Sequence, residues 1–163
     1  METPPGPDPV ARRYDTRLAE VCSRLNAHGA HYVLVGATAA QLWGHARATR
    51  DIDILIEPTV ENARRVLAAL GETGLGFARE WLAEEVATKP VTIIGDMPRV
   101  DVLTVAWSVH YKEARPAATE FEIEGVRVPT ASIDHLIASK RTGRLQDAAD
   151  IEALEEIKRL RSL

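Results

Sequence analysis

Apolar and polar positions alternate through Arg50-Asp51-Ile52-Asp53-Ile54-Leu55-Ile56, and the alternation predicts a short strand. On it Asp51 and Asp53 share one face, while Ile52, Ile54 and Ile56 share the other. Upstream the period changes. Tyr14, Leu18, Val21 and Leu25 recur at three- and four-residue intervals, which predicts a helix from Val10 to about His28, ended within Asn26 to Gly29. His31 to Val35 is a compact apolar strand that runs into Gly36-Ala37-Thr38 and then a short helix over Ala39 to Gly44. Pro58 closes the alternating strand. Thr59 is placed to cap a helix over Val60 to Leu70, with Ala63, Val66, Leu67 and Leu70 inside.

Phe77 to Val86 reads as a further helix. Val91 to Ile94 and Arg99 to Val105 read as neighbouring strands joined by a turn over Gly95 to Pro98. Gly125 sits between Glu120–Glu124 and Val126–Val128, the pattern of a smaller hairpin near a sheet edge. Ser132 caps a helix carrying Ile133, Leu136 and Ile137, and a last helix runs from about Leu145 to Leu160. Four prolines and one glycine mark residues 1–9 as a disordered lead-in to one domain over residues 10–163. Strands and helices interleave without an internal repeat. The expected fold class is therefore α/β in the α+β sense: a mixed β-sheet flanked by helices, with a C-terminal helical segment.

Composition narrows the function. The 163 residues are 45% hydrophobic and 27% charged, enough for one well-filled core. A formal net charge of −4 argues against a broad nucleic-acid-coating surface. Cys22 is the single cysteine, which excludes an intrachain disulfide and a cysteine zinc site; its neighbours make it a core position. The N-terminus carries no secretory pattern, and no apolar run approaches the ~20 residues that span a bilayer, so a cytoplasmic, non-membrane protein is expected. The histidines show no metal-ligand spacing.

Two adjacent carboxylates repel, and burying them without a partner is costly. Asp51 and Asp53 are therefore either solvated on an edge strand or joined by a shared divalent metal. Asp101, between Val100 and Val102, either faces solvent or is functional; it shares its strand face with Leu103 and Val105. Should its strand lie beside residues 51–56, three carboxylates would meet at one end of the sheet and suit two Mg²⁺ ions about 4 Å apart. The strand, glycine and helix start at Gly36 are either a plain turn or a set of backbone N–H groups for an anion. Trp43, Trp81 and Trp107 read as core or groove-wall residues, any one of which could stack on a base.

These features together resemble the nucleotidyltransferases of the DNA polymerase beta superfamily, in particular the small prokaryotic members and the AbiEii-like group associated with toxin–antitoxin systems. The resemblance spans about Tyr32 to Leu154. It implies a nucleotidyltransferase-like fold in which Asp51, Asp53 and Asp101 are catalytic and bind two Mg²⁺, with an NTP such as ATP as substrate. Gly36, Ala37 and Thr38 stand where the family's Gly-Gly or Gly-Ser turn holds the triphosphate; here the hydroxyl is one residue late, on Thr38. Arg47-x-Thr49-x-Asp51-x-Asp53 is similar to the family's Arg-x-Ser/Thr-x-Asp-x-Asp, which implies that Arg47 steadies the metal site or phosphates. Lys140-x3-Arg144-x2-Asp147-x2-Asp150 is similar to the AbiEii-like Lys-x3-Arg-x2-Asp-x2-Asp signature, which implies Lys140 and Arg144 near the nucleotide. Taken from the residues alone, Arg47 is also readable as a surface charge, and Arg144, Asp147 and Asp150 as ion pairs that dock the last helix.

The activity implied is transfer of an NMP group to an acceptor hydroxyl on a protein, a tRNA end or a small molecule, with a toxin or antitoxin as partner protein. A basic groove of Arg47, Arg50, Lys140, Arg141 and Arg144 keeps the tRNA end in view. A reading from another class is a non-catalytic relative that binds a nucleotide or a partner protein, suggested by the atypical Gly36-Ala37 turn and the short chain. A carboxylate metal nuclease ranks below both, since no general-base His or Lys accompanies the aspartates.

Overall fold

This computed structural model describes residues 9–49 and 51–162, with side chains from residue 17 onward. Of the lead-in expected over residues 1–9, only Pro9 is described, and it opens the first helix; Arg50 lies outside the described residues. In chain order the elements are α1 (Pro9–Ala27), β1 (Tyr32–Val35), α2 (Gly36–Trp43), β2 (Ile52–Ile56), α3 (Val60–Leu70), a 3-10 turn (Phe77–Glu80), α4 (Ala83–Thr88) and β3 (Val91–Ile94). They continue with β4 (Val100–Leu103), α5 (Tyr111–Ala114), β5 (Thr119–Ile123), β6 (Val126–Thr130), α6 (Ile133–Ser139) and α7 (Leu145–Arg161).

The strands form one six-stranded mixed sheet in the order β3-β4-β2-β1-β6-β5. β2 is antiparallel to β1 and parallel to β4, and the two hairpins, β3–β4 and β5–β6, supply the edges. The alternation along β2 sends Ile52, Ile54 and Ile56 into the core, where they join the buried Val100 and Val102 of β4. Two-residue periodicity puts Asp53 and Asp101 on the opposite face. α1 packs on α3 and α3 on α4, while α2, α6 and α7 form a separate group of helices. Thr59 caps α3 by accepting the Asn62 N–H, and Ser132 caps α6 by accepting the His135 N–H. Cys22 is fully buried, and burial pushes its thiol up to about 12.

Three elements differ from the sequence pattern. The helix expected over Phe77–Val86 is two pieces, because Trp81 is extended and α4 restarts at Ala83 against α3. α2 begins at Gly36 rather than Ala39, so the glycine turn and the helix start coincide. α5 is four residues long, too short for a period to announce it. Among the described residues no helix is long and apolar enough to cross a membrane.

Candidate active site

β2 and β4 lie side by side in register, with Asp53 opposite Asp101. On the other side of β2, Val35 at the end of β1 is opposite Asp53, so the chain enters α2 directly over that carboxylate. Only glycine fits this entry. Gly36 has φ 73°, and a Cβ there would run into the Asp53 side chain. Asp51 precedes β2, its N–H donating to Thr49 Oγ1 at 3.0 Å and its carbonyl accepting from the Thr38 hydroxyl at 3.0 Å. All three carboxylates line one cleft of about 440 Å³.

The cleft concentrates negative charge. Burial, with the neighbouring Asp101 and Asp51, pushes the Asp53 carboxyl up to about 7, against a partial offset from Lys140. Arg99 answers part of the remaining charge: its guanidinium donates to both Asp101 oxygens at 2.9 and 3.1 Å and reaches Asp51 at 3.6 Å. Among the described residues no three His, Cys, Asp or Glu side chains are already gathered around one point as a metal ion needs. Both Asp101 oxygens accept from Arg99 in this arrangement. The donor set is all carboxylate oxygen, the chemistry Mg²⁺ prefers, and burial beside two like charges raises Asp53. The donor chemistry suits a divalent cation, while Asp101 is paired with Arg99.

A cationic wall comes from other elements. Lys140, at the end of α6, donates to Asp150 at 2.9 Å; Asp150 also takes Arg47 at 2.8 Å and His45 at 3.0 Å. Burial alone would raise the Asp150 carboxyl, but Lys140, His45 and Arg47 together hold it below the usual carboxylate range. Asp150 thus docks α7, while Arg47 and Lys140 keep a surface on the cleft. Arg144 lines the cleft too, exposed and paired with Asp147 at 2.8 Å. It does not continue the helix of Lys140, because Gly143, at φ 85°, separates α6 from α7.

Of the residues expected from the sequence, Asp51, Asp53, Asp101, Gly36, Ala37, Arg47, Lys140 and Arg144 all line this cleft. Thr38 does not; its hydroxyl is committed to the Asp51 carbonyl. Arg99 and His45 escaped the sequence reading. Arg99 had a signal, since it lies two residues before Asp101 on the same strand face. His45 had none, because its partner Asp150 is 105 positions away. A second hollow of about 510 Å³, walled by Tyr32, Tyr111, Arg115 and Glu120, has no carboxylate cluster, and its Arg115 is paired with Glu120 at 3.5 Å.

No family model matches the chain, and no curated protein does. Among solved structures, an antigenic nucleotidyltransferase-like protein from Paracoccidioides brasiliensis is similar, with a TM-score of 0.59 at 16% identity over 90% of this chain and 75% of that one. The fold is nucleotidyltransferase-like. At that identity the likeness speaks for the arrangement of strands and helices, and the roles of side chains rest on their own geometry.

Proposed function

We propose that the chain is a divalent-metal-dependent nucleotidyltransferase that moves an NMP group from an NTP to an acceptor hydroxyl. The observation that carries this reading is Asp53 in register with Asp101 on parallel strands, with Asp51 in the same cleft and the α2 entry packed onto Asp53. Asp51 and Asp53 would hold two Mg²⁺, with Asp101 completing the set for one of them. When bound, such ions neutralise charge on the α-phosphate and the departing pyrophosphate. Gly36 and Ala37 line the cleft at the start of α2, where their backbone N–H groups would take the triphosphate, and Arg47, Lys140 and Arg144 would add positive charge beside it. Asp101 takes the acceptor's proton as that oxygen bonds to the α-phosphorus and the bond to pyrophosphate breaks.

The AbiEii-like branch, a toxin–antitoxin setting and an acceptor on a protein, tRNA end or small molecule belong to the same proposal. Their support is the Lys140-Arg144-Asp147-Asp150 spacing, of which Lys140, Arg144 and Asp147 line the cleft. The test is incubation with each of the four α-labelled NTPs, Mg²⁺ and a panel of acceptors. Wild type should label an acceptor and release pyrophosphate, and Asp53→Ala or Asp101→Ala should fall to background while remaining folded by circular dichroism. No transfer from any NTP to any acceptor would count against catalysis.

A second reading, a non-catalytic nucleotide-binding relative, draws on Arg99, which already supplies a cation to Asp101, and on Ala37, which lacks the family's hydroxyl. Nucleotide bound equally well with and without Mg²⁺, and never transferred, would favour it.

A further inference from the structure

Part of the cleft lining is cationic, from Arg47, Lys140 and Arg144; another part is apolar, from Leu103, Ala106 and Trp107 on β4 and the turn after it. The three tryptophans differ in what their rings meet. Trp43 donates to the Ala131 carbonyl at 2.9 Å and meets Phe121 edge-on. Trp81 carries the Lys89 ammonium 5.4 Å above its ring. Trp107 is 61% exposed and has no such partner among the described residues.

The backbone fixes that exposure. Ala106 and Val109 exchange two hydrogen bonds, at 2.9 and 3.0 Å, across the two-residue turn Trp107–Ser108. Trp107 itself sits at φ 58°, a conformation that bulky side chains seldom adopt. An indole held in a tight turn at the rim of a polar cleft loses little conformational freedom on meeting a flat ring.

We propose that Trp107 is the stacking platform for the base of the nucleotide whose phosphates lie against the cationic residues. This rests on the nucleotidyltransferase reading of the same cleft and extends it to base selection. Leu103, Ala106 and Trp107 carry no hydrogen-bonding side-chain group apart from the indole N–H, so selection here follows stacking area. Purine NTPs are preferred to pyrimidine NTPs, with little distinction between ATP and GTP.

The experiment uses the full chain and three probes with Mg²⁺: ATP, UTP and inorganic tripolyphosphate, the last a phosphate group with no base. Calorimetry should show Trp107→Ala weakening ATP about tenfold and leaving tripolyphosphate unchanged, with Trp107→Phe retaining most of the ATP affinity. ATP should bind more tightly than UTP to the wild type, and should quench wild-type tryptophan fluorescence but not that of Trp107→Phe. Unchanged ATP affinity in Trp107→Ala, or an equal loss for ATP and tripolyphosphate, overturns the stacking role while the nucleotide site stands. Failure of wild type to bind any of the three probes overturns the nucleotide site and the stacking role together.

Discussion

Burial and two neighbouring carboxylates push the Asp53 carboxyl up to about 7 from an ordinary 3.8, so between those values the folded chain holds a proton that the unfolded chain has lost. Stability without metal must then fall as pH rises from about 4 to about 7, and level off above. Asp53→Asn removes the titrating group and should flatten that part of the profile, by an amount on the order of a few kcal/mol between pH 5 and pH 8. Urea unfolding of both proteins at the two pH values, in chelator, measures it. Equal slopes in wild type and variant would mean that Arg99 already neutralises the site in full. Divalent cations reverse the preference, since they bind the ionised carboxylate and compete with its proton.

At the scale of elements, the docking of α7 rests on one buried carboxylate. The Asp150 side chain is 1% exposed and holds Lys140, itself 9% exposed, at 2.9 Å, along with Arg47 and His45. Asp150→Ala leaves a buried ammonium without its partner and should cost about 3–5 kcal/mol in urea unfolding. Lys140→Met should cost less, because Arg47 and His45 remain on Asp150. The reverse order would make Lys140 the anchor. This network also shows where sequence patterns stop. Helix and strand periods report local burial, so α1, β2, α3, the β3–β4 hairpin and α7 were legible from Leu18 and Leu25, the isoleucines of β2, and the Thr59 cap. The shared face of Asp51 and Asp53 and the lone Asp101 pointed to one cleft for the same reason. What the chain could not disclose was pairing across distance. His45 meets Asp150 and Thr38 turns to the Asp51 carbonyl, partners 105 and 13 positions away.

Over the whole molecule the formal charge is −4, and the cleft repeats that sign locally. Among the described residues, five carboxylates (Asp51, Asp53, Asp101, Asp147 and Asp150) stand in or just behind it against four cations, Arg47, Arg99, Lys140 and Arg144. On the proposed reading, a triphosphate entering without divalent metal would find no surplus of positive charge, and the metal ion that uses Asp101 would compete with Arg99. On that reading each ligand would offset the charge that opposes the other, so their binding would be coupled, and linkage makes the coupling factor the same in both directions. Calorimetry with a non-hydrolysable ATP analogue should show affinity at least about tenfold higher with Mg²⁺ than in chelator. Mg²⁺ affinity should rise by the same factor when the analogue is present. Bulk charge argues the other way about salt: if the −4 of the chain governed approach, added salt would screen repulsion and tighten metal-free binding. Metal-free binding that is already tight and weakens with salt would instead assign the nucleotide to Arg47, Lys140 and Arg144 alone, and the carboxylates would then need another ligand.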